Sequence, residues 1–302
     1  MGAAALAVHP GALGDVLLAV PALRALRAAA GPPLTLAAQP RLGALLQALD
    51  VVDDHVDVDA LGLDALFAPG GDRRPRLPDV ARLVCWFGAR DPDFARRLGA
   101  LVPGAVVAPS VGAGRPVWEH LLATVGAPPG DWRAPLPASA ALRALGGEAL
   151  AAARMELPHP WLLVHPGAGG PAKCWPAEAF ARVITTAAAR ARMNVIVHQG
   201  PADAAAAAAL RRHLGAGVVW LVEPALPALA GALAHAQLYL GNDSGVSHLA
   251  AALGVPSVVL FDPRHLAWTP WWTGAHVRTV TLAAAVEAEV EAVIGELLGL
   301  LR

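Results

Sequence analysis

Cysteine, lysine and charge are all scarce in this chain. Of its 302 residues only Cys85 and Cys174 are cysteines, too few for a disulfide framework, so a reducing compartment is the natural setting. Charged residues make up 16% and the formal net charge is −1. With no long basic run, that balance gives no case for nucleic-acid binding. No apolar run reaches the length of a membrane span, because Pro, Gly, Arg or Asp interrupts each candidate. The start of the chain is apolar but lacks a basic flank and runs straight into a strand pattern, so it reads as folded protein and not as a signal peptide. No cysteine or histidine cluster stands at ligand spacing, so no metal is expected. Arginine is common, yet Lys173 is the only lysine. Lysine and arginine differ in shape and hydration, so one retained ammonium points to a site requirement.

What the chain does have is apolar substance, 56% of its residues. That marks a core-forming globular protein, long enough for two domains. Residues 241–256 read Gly-Asn-Asp-Ser-Gly-Val-Ser-His-Leu-Ala-Ala-Ala-Leu-Gly-Val-Pro. Short apolar runs at 236–240 and 257–261 flank them as buried strands. Between these, Ser244 is placed to cap a helix carrying Val246, Leu249, Ala250 and Leu253 on its apolar side. Gly254 and Pro256 end it. The turn 241–245 therefore opens a helix N-terminus, where unpaired N–H groups and a partial positive charge suit a phosphate.

Strand and helix patterns alternate along the chain, which argues for a parallel sheet covered on both faces. Strands are expected at 3–8, 34–38, 51–58, 80–87 and 105–109, with helices at 15–29, 42–49, 94–101 and 116–125. Pro21 predicts a kink or a broken first turn in the first helix. Asp15 stands in that helix's first turn, where a carboxylate is favoured by the dipole and is equally a plain cap. The loop with Arg73, Arg74 and Arg76 reads as solvated surface able to meet an anionic acceptor. A helix over 138–153 precedes a proline-rich segment, in which the domain boundary is expected, giving domains 1–156 and 157–302. The second half restarts the plan: strands at 161–164, 194–198 and 218–222 alternate with helices at 176–192, 201–214 and 227–235. A final helix, 282–301, is long enough to cross back over the first domain. Two doubly wound halves imply a cleft at the carboxyl ends of their strands, where such folds bind ligands. Three glycine-bearing turns, 9–15, 165–175 and 241–245, fall on that edge.

The loop His165-Pro-Gly-Ala-Gly-Gly-Pro-Ala-Lys173 joins backbone N–H groups to one ammonium. It is neither a Walker loop, since Cys174 follows Lys173, nor a dinucleotide fingerprint. It can hold a diphosphate, each charge-assisted bond contributing on the order of 1.5–3 kcal/mol. A lysine and a helix N-terminus can stabilise a leaving diphosphate without a metal.

Gly14-Asp15-Val16-Leu17, His165-Pro-Gly-Ala through Lys173 and Trp175-Pro176, and Gly241-Asn-Asp-Ser-Gly245 with His248-Leu-Ala-Ala together resemble one family. The chain is similar, over nearly its whole length, to the bacterial ADP-heptose:lipopolysaccharide heptosyltransferases of glycosyltransferase family 9. The resemblance implies a GT-B fold, two Rossmann-like domains facing across a cleft, the first binding acceptor and the second nucleotide sugar. It implies an inverting transfer of heptose from ADP-heptose to a lipopolysaccharide inner-core acceptor, with no metal and no other cofactor. Asp15 then corresponds to the general base, with Leu13 and Gly14 beside it. Lys173 corresponds to the residue holding the departing diphosphate, with Gly167 and Ala168 in its loop. Asp243, Ser244, Gly245 and His248 correspond to the nucleotide-sugar site, and Glu223 to an adenosine-ribose ligand. A cytoplasmic enzyme is implied, with any membrane contact peripheral, at the inner membrane. Asp262 stands where the family commonly has glycine, which bears on sugar specificity. Other readings are another nucleotide sugar or acceptor, a 2-epimerase-like isomerase of the same fold, or a non-catalytic ADP-binding module.

Overall fold

A computed structural model describes residues 5–67, 74–127, 132–155 and 160–301. Two compact units divide the chain, Met1–Ala134 and Pro135–Arg302. The first contains β1 (Ala5–Val8), α1 (Leu13–Leu18), α2 (Val20–Ala30), β2 (Leu34–Ala38), α3 (Pro40–Ala48), β3 (Asp54–Asp57), β4 (Arg82–Cys85), α4 (Pro92–Leu101), β5 (Val106–Val107) and α5 (Val117–Thr124). Every strand pairing is parallel, in the order β3-β2-β1-β4-β5. The central strand β1 is buried throughout, as a continuous apolar run between two parallel neighbours must be. Its neighbours β2 and β4 lie on opposite sides, so the chain reverses direction across the sheet at the carboxyl end of β1, the place where doubly wound sheets bind ligands. The break expected near Pro21 falls at Ala19: α1 ends there and α2 starts with Pro21 in its first turn, where no N–H is needed.

The second unit contains α6 (Ala140–Ala152), β6 (Trp161–His165), α7 (Ala177–Ala191), β7 (Asn194–Gln199), α8 (Ala204–Arg211), β8 (Val218–Val222), α9 (Leu226–Leu233), β9 (Leu238–Asn242), α10 (Gly245–Ala252), β10 (Ser257–Phe261), β11 (Ala275–Thr279) and α11 (Glu287–Gly299). Its strands run in the order β11-β10-β9-β6-β7-β8, all parallel. The reversal point here lies between β6 and β9, so the loop after β6 and the turn after β9 are neighbours. Below them is a core in which Phe180, Val183 and Ile184 of α7 meet Leu162 and Val164 of β6 and Val258 and Leu260 of β10.

Three expectations are corrected. The boundary lies at 134/135 and not at 156/157, because α6 packs tightly on α9. A Cβ on Gly146 would stand 2.0 Å from the Gly231 carbonyl carbon, and Arg143 donates to the Ala234 carbonyl at 2.5 Å. The last helix belongs to the second unit, where α11 buries Val290, Val293, Ile294 and Leu297 in that unit's own core. Finally, β11 is a sixth strand that the sequence reading left out. Its residues Ala-His-Val-Arg-Thr are, after the first, exposed or half-exposed, as on a sheet edge, and carry no apolar run to mark them. Arg73 lies outside the described residues.

Candidate active site

The turn after β9 is built on buried hydroxyls. Ser244 has extended backbone and its Oγ accepts from the Ser247 N–H at 3.3 Å, capping α10. Ser247 Oγ donates to the Asn242 carbonyl at 2.5 Å and lies 2.8 Å from the Tyr239 hydroxyl. That buried tyrosine explains Gly241, whose added Cβ would stand 2.3 Å from the phenolic oxygen. Residues 246–252 of α10 are all buried, so the helix is held on every side. Its first turn keeps N–H groups without intrahelical acceptors, at the positive end of the dipole.

Next to that end stand Asp243 and Lys173. Lys173 closes a short 3-10 turn, Pro171–Lys173, in the loop after β6. Its Nζ donates to Asp243 Oδ2 at 2.9 Å, and His248 Nε2 lies 3.8 Å from Asp243 Oδ1. Burial pushes the Asp243 carboxyl up, but hydrogen bonding and charge from His248 and Lys173 outweigh it, and the net displacement is downward. Asp243 is therefore an anion at neutral pH. The ammonium has three donors and gives one to Asp243, so two remain for a ligand. Lys173 keeps 37% of its side chain exposed while Asp243 keeps 9%: the acid is fixed and the base is reachable.

One residue ties this loop to the turn. Asn242 Nδ2 donates to the Pro166 carbonyl at 2.8 Å, and its Oδ1 accepts from the Trp175 N–H at 3.1 Å. Beneath the loop, His165 Nδ1 lies 3.0 Å from His198 Nδ1, and its Nε2 lies 3.8 Å from Asp203 Oδ2. Gly167 is required by this arrangement, since a Cβ there would stand 2.0 Å from Asp203 Oδ1. Burial lowers the pKa of both histidines, that of His198 to about 3.

In the first unit the turn after β1 repeats the sequence His-Pro-Gly-Ala, as residues 9–12. Asp15 is half-buried at the third position of α1, and its Oδ2 accepts from the Ala12 N–H at 3.2 Å, so both expectations, first turn and cap, describe it. Leu13 and Gly14 form the first two residues of α1. His9 is buried against Trp86, and its Nδ1 accepts from the Gly11 N–H at 3.2 Å, leaving Nε2 buried without a partner. A cavity of about 810 Å³ opens on the same sheet edge, lined by Pro10, Asp59, Asp64, Arg74, Arg76 and Phe87 among others.

The sequence model of glycosyltransferase family 9 (heptosyltransferase) matches residues 123–293. The chain belongs to this family. Among curated proteins it is 31% identical over 128 residues to lipopolysaccharide heptosyltransferase 3 of Escherichia coli, which is 39% of this chain and 37% of that protein. The same-named protein of the K12 strain is 28% identical over 133 residues, 40% of this chain and 38% of that protein. The chain thus aligns with less than half the length of either curated relative. In fold it is similar to E. coli ADP-heptose lps heptosyltransferase II, with TM-score 0.76, 19% identity and 98% of each chain covered. A Veillonella parvula family 9 glycosyl transferase gives TM-score 0.76 at 18% identity, over 99% of this chain and 97% of that one. E. coli heptosyltransferase WaaC with ADP gives 0.68 at 16%, over 98% and 99%. The two doubly wound units are those of the GT-B class, as expected.

Within the family 9 framework, Lys173, Asp243, Ser244, Gly245 and His248 come together in one cluster, with Gly167 and Ala168 at the start of the lysine's loop. Glu223 stands apart, just beyond β8 at the sheet's edge. It has φ 47, in the left-handed region, while its N–H donates to the Gln199 carbonyl at 2.8 Å. Non-glycine residues adopt that region at a cost and often at binding sites. Asp262 is explained locally: it caps a 3-10 turn, Pro263–Trp268, and accepts from Arg264 Nε at 2.9 Å and Nη2 at 2.6 Å. With φ −70 its backbone does not need glycine. The sequence reading missed Asn242 as a structural tie, Asp203, and the repeated His-Pro-Gly-Ala. The repeat alone was open to inspection; the other two emerge only from strand order. Among the described residues no helix is long and apolar enough to cross a membrane, and no group of three or more His, Cys, Asp or Glu is arranged to hold a metal ion.

Proposed function

We propose that this chain is an inverting heptosyltransferase that moves heptose from ADP-heptose to a lipopolysaccharide inner-core hydroxyl without a metal. The observation that carries this reading is the Lys173–Asp243 pair at the N-terminus of α10. An ammonium with free donors beside a helix N-terminus offers a diphosphate what it needs, positive charge and preorganised N–H groups. The similarity to proteins named lipopolysaccharide heptosyltransferase, and in fold to a heptosyltransferase solved with ADP, supports the acceptor and donor classes.

In this reading Asp15 removes the proton of the acceptor hydroxyl as its oxygen bonds to the anomeric carbon. The bond from that carbon to the diphosphate oxygen breaks in the same displacement, with inversion. ADP leaves carrying the bonding pair, and Lys173 and the α10 amides take up its charge. Asp243 and His248 hold the lysine and face the sugar, Ser244 and Gly245 give the turn its N–H groups, and Glu223 accepts from the ribose. Arg74 and Arg76, on the wall of the first unit's cavity, suit an anionic acceptor, and Asp59 and Asp64 on the same wall suit its hydroxyls. The reading places the protein in the cytoplasm, its contact with the inner membrane limited to the acceptor.

The test is release of ADP from ADP-heptose, with and without heptose-deficient lipopolysaccharide core. Acceptor-dependent release, lowered roughly 10-fold to 100-fold by Lys173→Ala through loss of one charge-assisted contact, is the expected result. Tight ADP-heptose binding without release would redirect the search to other acceptors, and acceptor-independent conversion of the sugar would favour an isomerase. Failure to bind any ADP-sugar would end the donor assignment.

A further inference from the structure

We propose that Asn242 is a positioning residue: its side chain closes the 166–175 loop at both ends and so delivers Lys173 to Asp243. Eleven residues, 166–176, lead from β6 to α7, and residues 169–172 among them are mostly exposed. Its internal bonds are few: Lys173 N–H to the Gly170 carbonyl at 3.0 Å, Cys174 N–H to the Pro171 carbonyl at 3.1 Å and Cys174 Sγ to the Gly170 carbonyl at 3.7 Å. These fold the tip but do not fix it to the sheet. Besides the Lys173–Asp243 bond at the tip, that attachment comes from Asn242, fully buried at the end of β9. Its amide nitrogen holds the outgoing strand at the Pro166 carbonyl and its amide oxygen holds the returning strand at the Trp175 N–H.

The same residue binds the other half of the site through its backbone. The Asn242 carbonyl accepts from Ser247 Oγ in the first turn of α10, and the next residue, Asp243, is the partner of Lys173. One position thus sets the lysine loop, the helix N-terminus and the intervening carboxylate relative to one another. An asparagine is specific to the task. It presents a donor and an acceptor on one planar group, whereas aspartate would face the Pro166 carbonyl with a second acceptor and leucine would satisfy neither end. A buried polar group whose partners are all backbone of one loop orders that loop, because breaking either bond leaves a buried backbone group unpaired.

The chain supplies its own probe. Lys173 is the only lysine, so a lysine-specific endoproteinase can cut this protein at one peptide bond, Lys173–Cys174, inside the loop. Cleavage of a folded protein tracks local opening when reclosing is fast. Asn242→Ala is expected to be cut at least about tenfold faster than the natural chain, well below its melting temperature, giving fragments 1–173 and 174–302. Cleavage at the natural rate in a cooperatively folded Asn242→Ala would overturn the inference. If that variant does not fold, Asn242→Asp, nearly isosteric and still able to accept from Trp175, takes its place with the same two outcomes.

That Lys173 serves a diphosphate rests on the function proposed above, and calorimetry with ADP tests the link separately. Asn242→Ala should weaken ADP about tenfold when Lys173 is present and not further in Lys173→Ala, since it acts through the lysine. Equal weakening in both backgrounds would reduce Asn242 to general structural support. A natural chain that binds no ADP would remove the nucleotide assignment while the cleavage comparison still decides the clamp.

Discussion

His9-Pro10-Gly11-Ala12 and His165-Pro166-Gly167-Ala168 leave the first strand of each unit by the same four residues, but the carboxylate beside each turn is handled differently. In the first unit Asp15 stays half-exposed on a helix N-terminus, tied by the single Ala12 N–H. In the second, Asp203 is buried under Gly167, accepts from the Gly200 N–H at 2.9 Å and faces His165. The difference follows from what each turn would meet. A group that takes a proton must be reachable. Under the proposed reading the second loop meets an anion instead, and there the carboxylate is turned inward, onto the Gly200 N–H and His165.

The comparison can be broken most severely at its two acids. Asp15→Ala should cut transfer roughly 10²–10⁴-fold while leaving ADP affinity unchanged, the usual scale of a general base. Asp203→Asn should act on ADP affinity instead, and initial-rate kinetics with donor titration separates the two. Near-full turnover by Asp15→Ala would return that residue to helix capping alone.

Acid should expose the histidines next. Burial, the largest effect, outweighs the attraction of Asp15 and lowers the pKa of His9 from 6.5 to about 4. Between those values the unfolded chain binds a proton that the folded chain does not. Stability is thus highest above 6.5 and falls as pH falls toward 4, by about 3 kcal/mol for full expression at this site. The second unit, with two such histidines, should lose more. Urea melts from pH 7 to pH 4 with His9→Gln and His198→Gln measure each slope, and a variant that melts like the natural chain at both ends would remove its histidine from the account.

Glycine substitutions sharpen the contrast on a smaller scale. Gly167→Ala forces a Cβ to within 2.0 Å of Asp203 Oδ1, whereas at Gly11 the nearest atoms are Asp15 Cβ and His9 Cε1 at 2.7 Å. Overpacking typically costs about 1–3 kcal/mol, and the larger loss of melting temperature is expected for Gly167→Ala. Smallest of all, Glu223→Gly should relieve the left-handed backbone at φ 47 and change stability by only about 1 kcal/mol in the favourable direction, while weakening ADP. A variant that is less stable would show that the carboxylate supports the fold.

Much of this was legible in the sequence because local rules sufficed. Ser244 as a cap, the break near Pro21 and the apolar β6, β9 and β10 follow from propensity and pattern. Lys173 stood out by being alone. The rest needed contacts between distant segments. Nothing near Asn242 announces that its amide bridges Pro166 and Trp175, and nothing near Asp203 announces Gly167. The boundary was misplaced for a related reason: the proline-rich stretch around 157–160 looks like a linker, while the glycines that bind α6 to α9, Gly146 and Gly231, lie far apart in the chain. The edge strand β11 was hidden by its own polarity.

Residues 246–252 of α10 are buried without exception, and that has a thermodynamic consequence. In the proposed reading the helix half of the site is packed before any ligand arrives, so it would offer its contacts at little cost in disorder. The entropy lost on binding would then fall on the mostly exposed residues 169–172 of the lysine loop, since Lys173 itself is already held by Asp243. Calorimetry over a temperature series should accordingly return an unfavourable binding entropy that grows when Asn242→Ala frees the loop before binding.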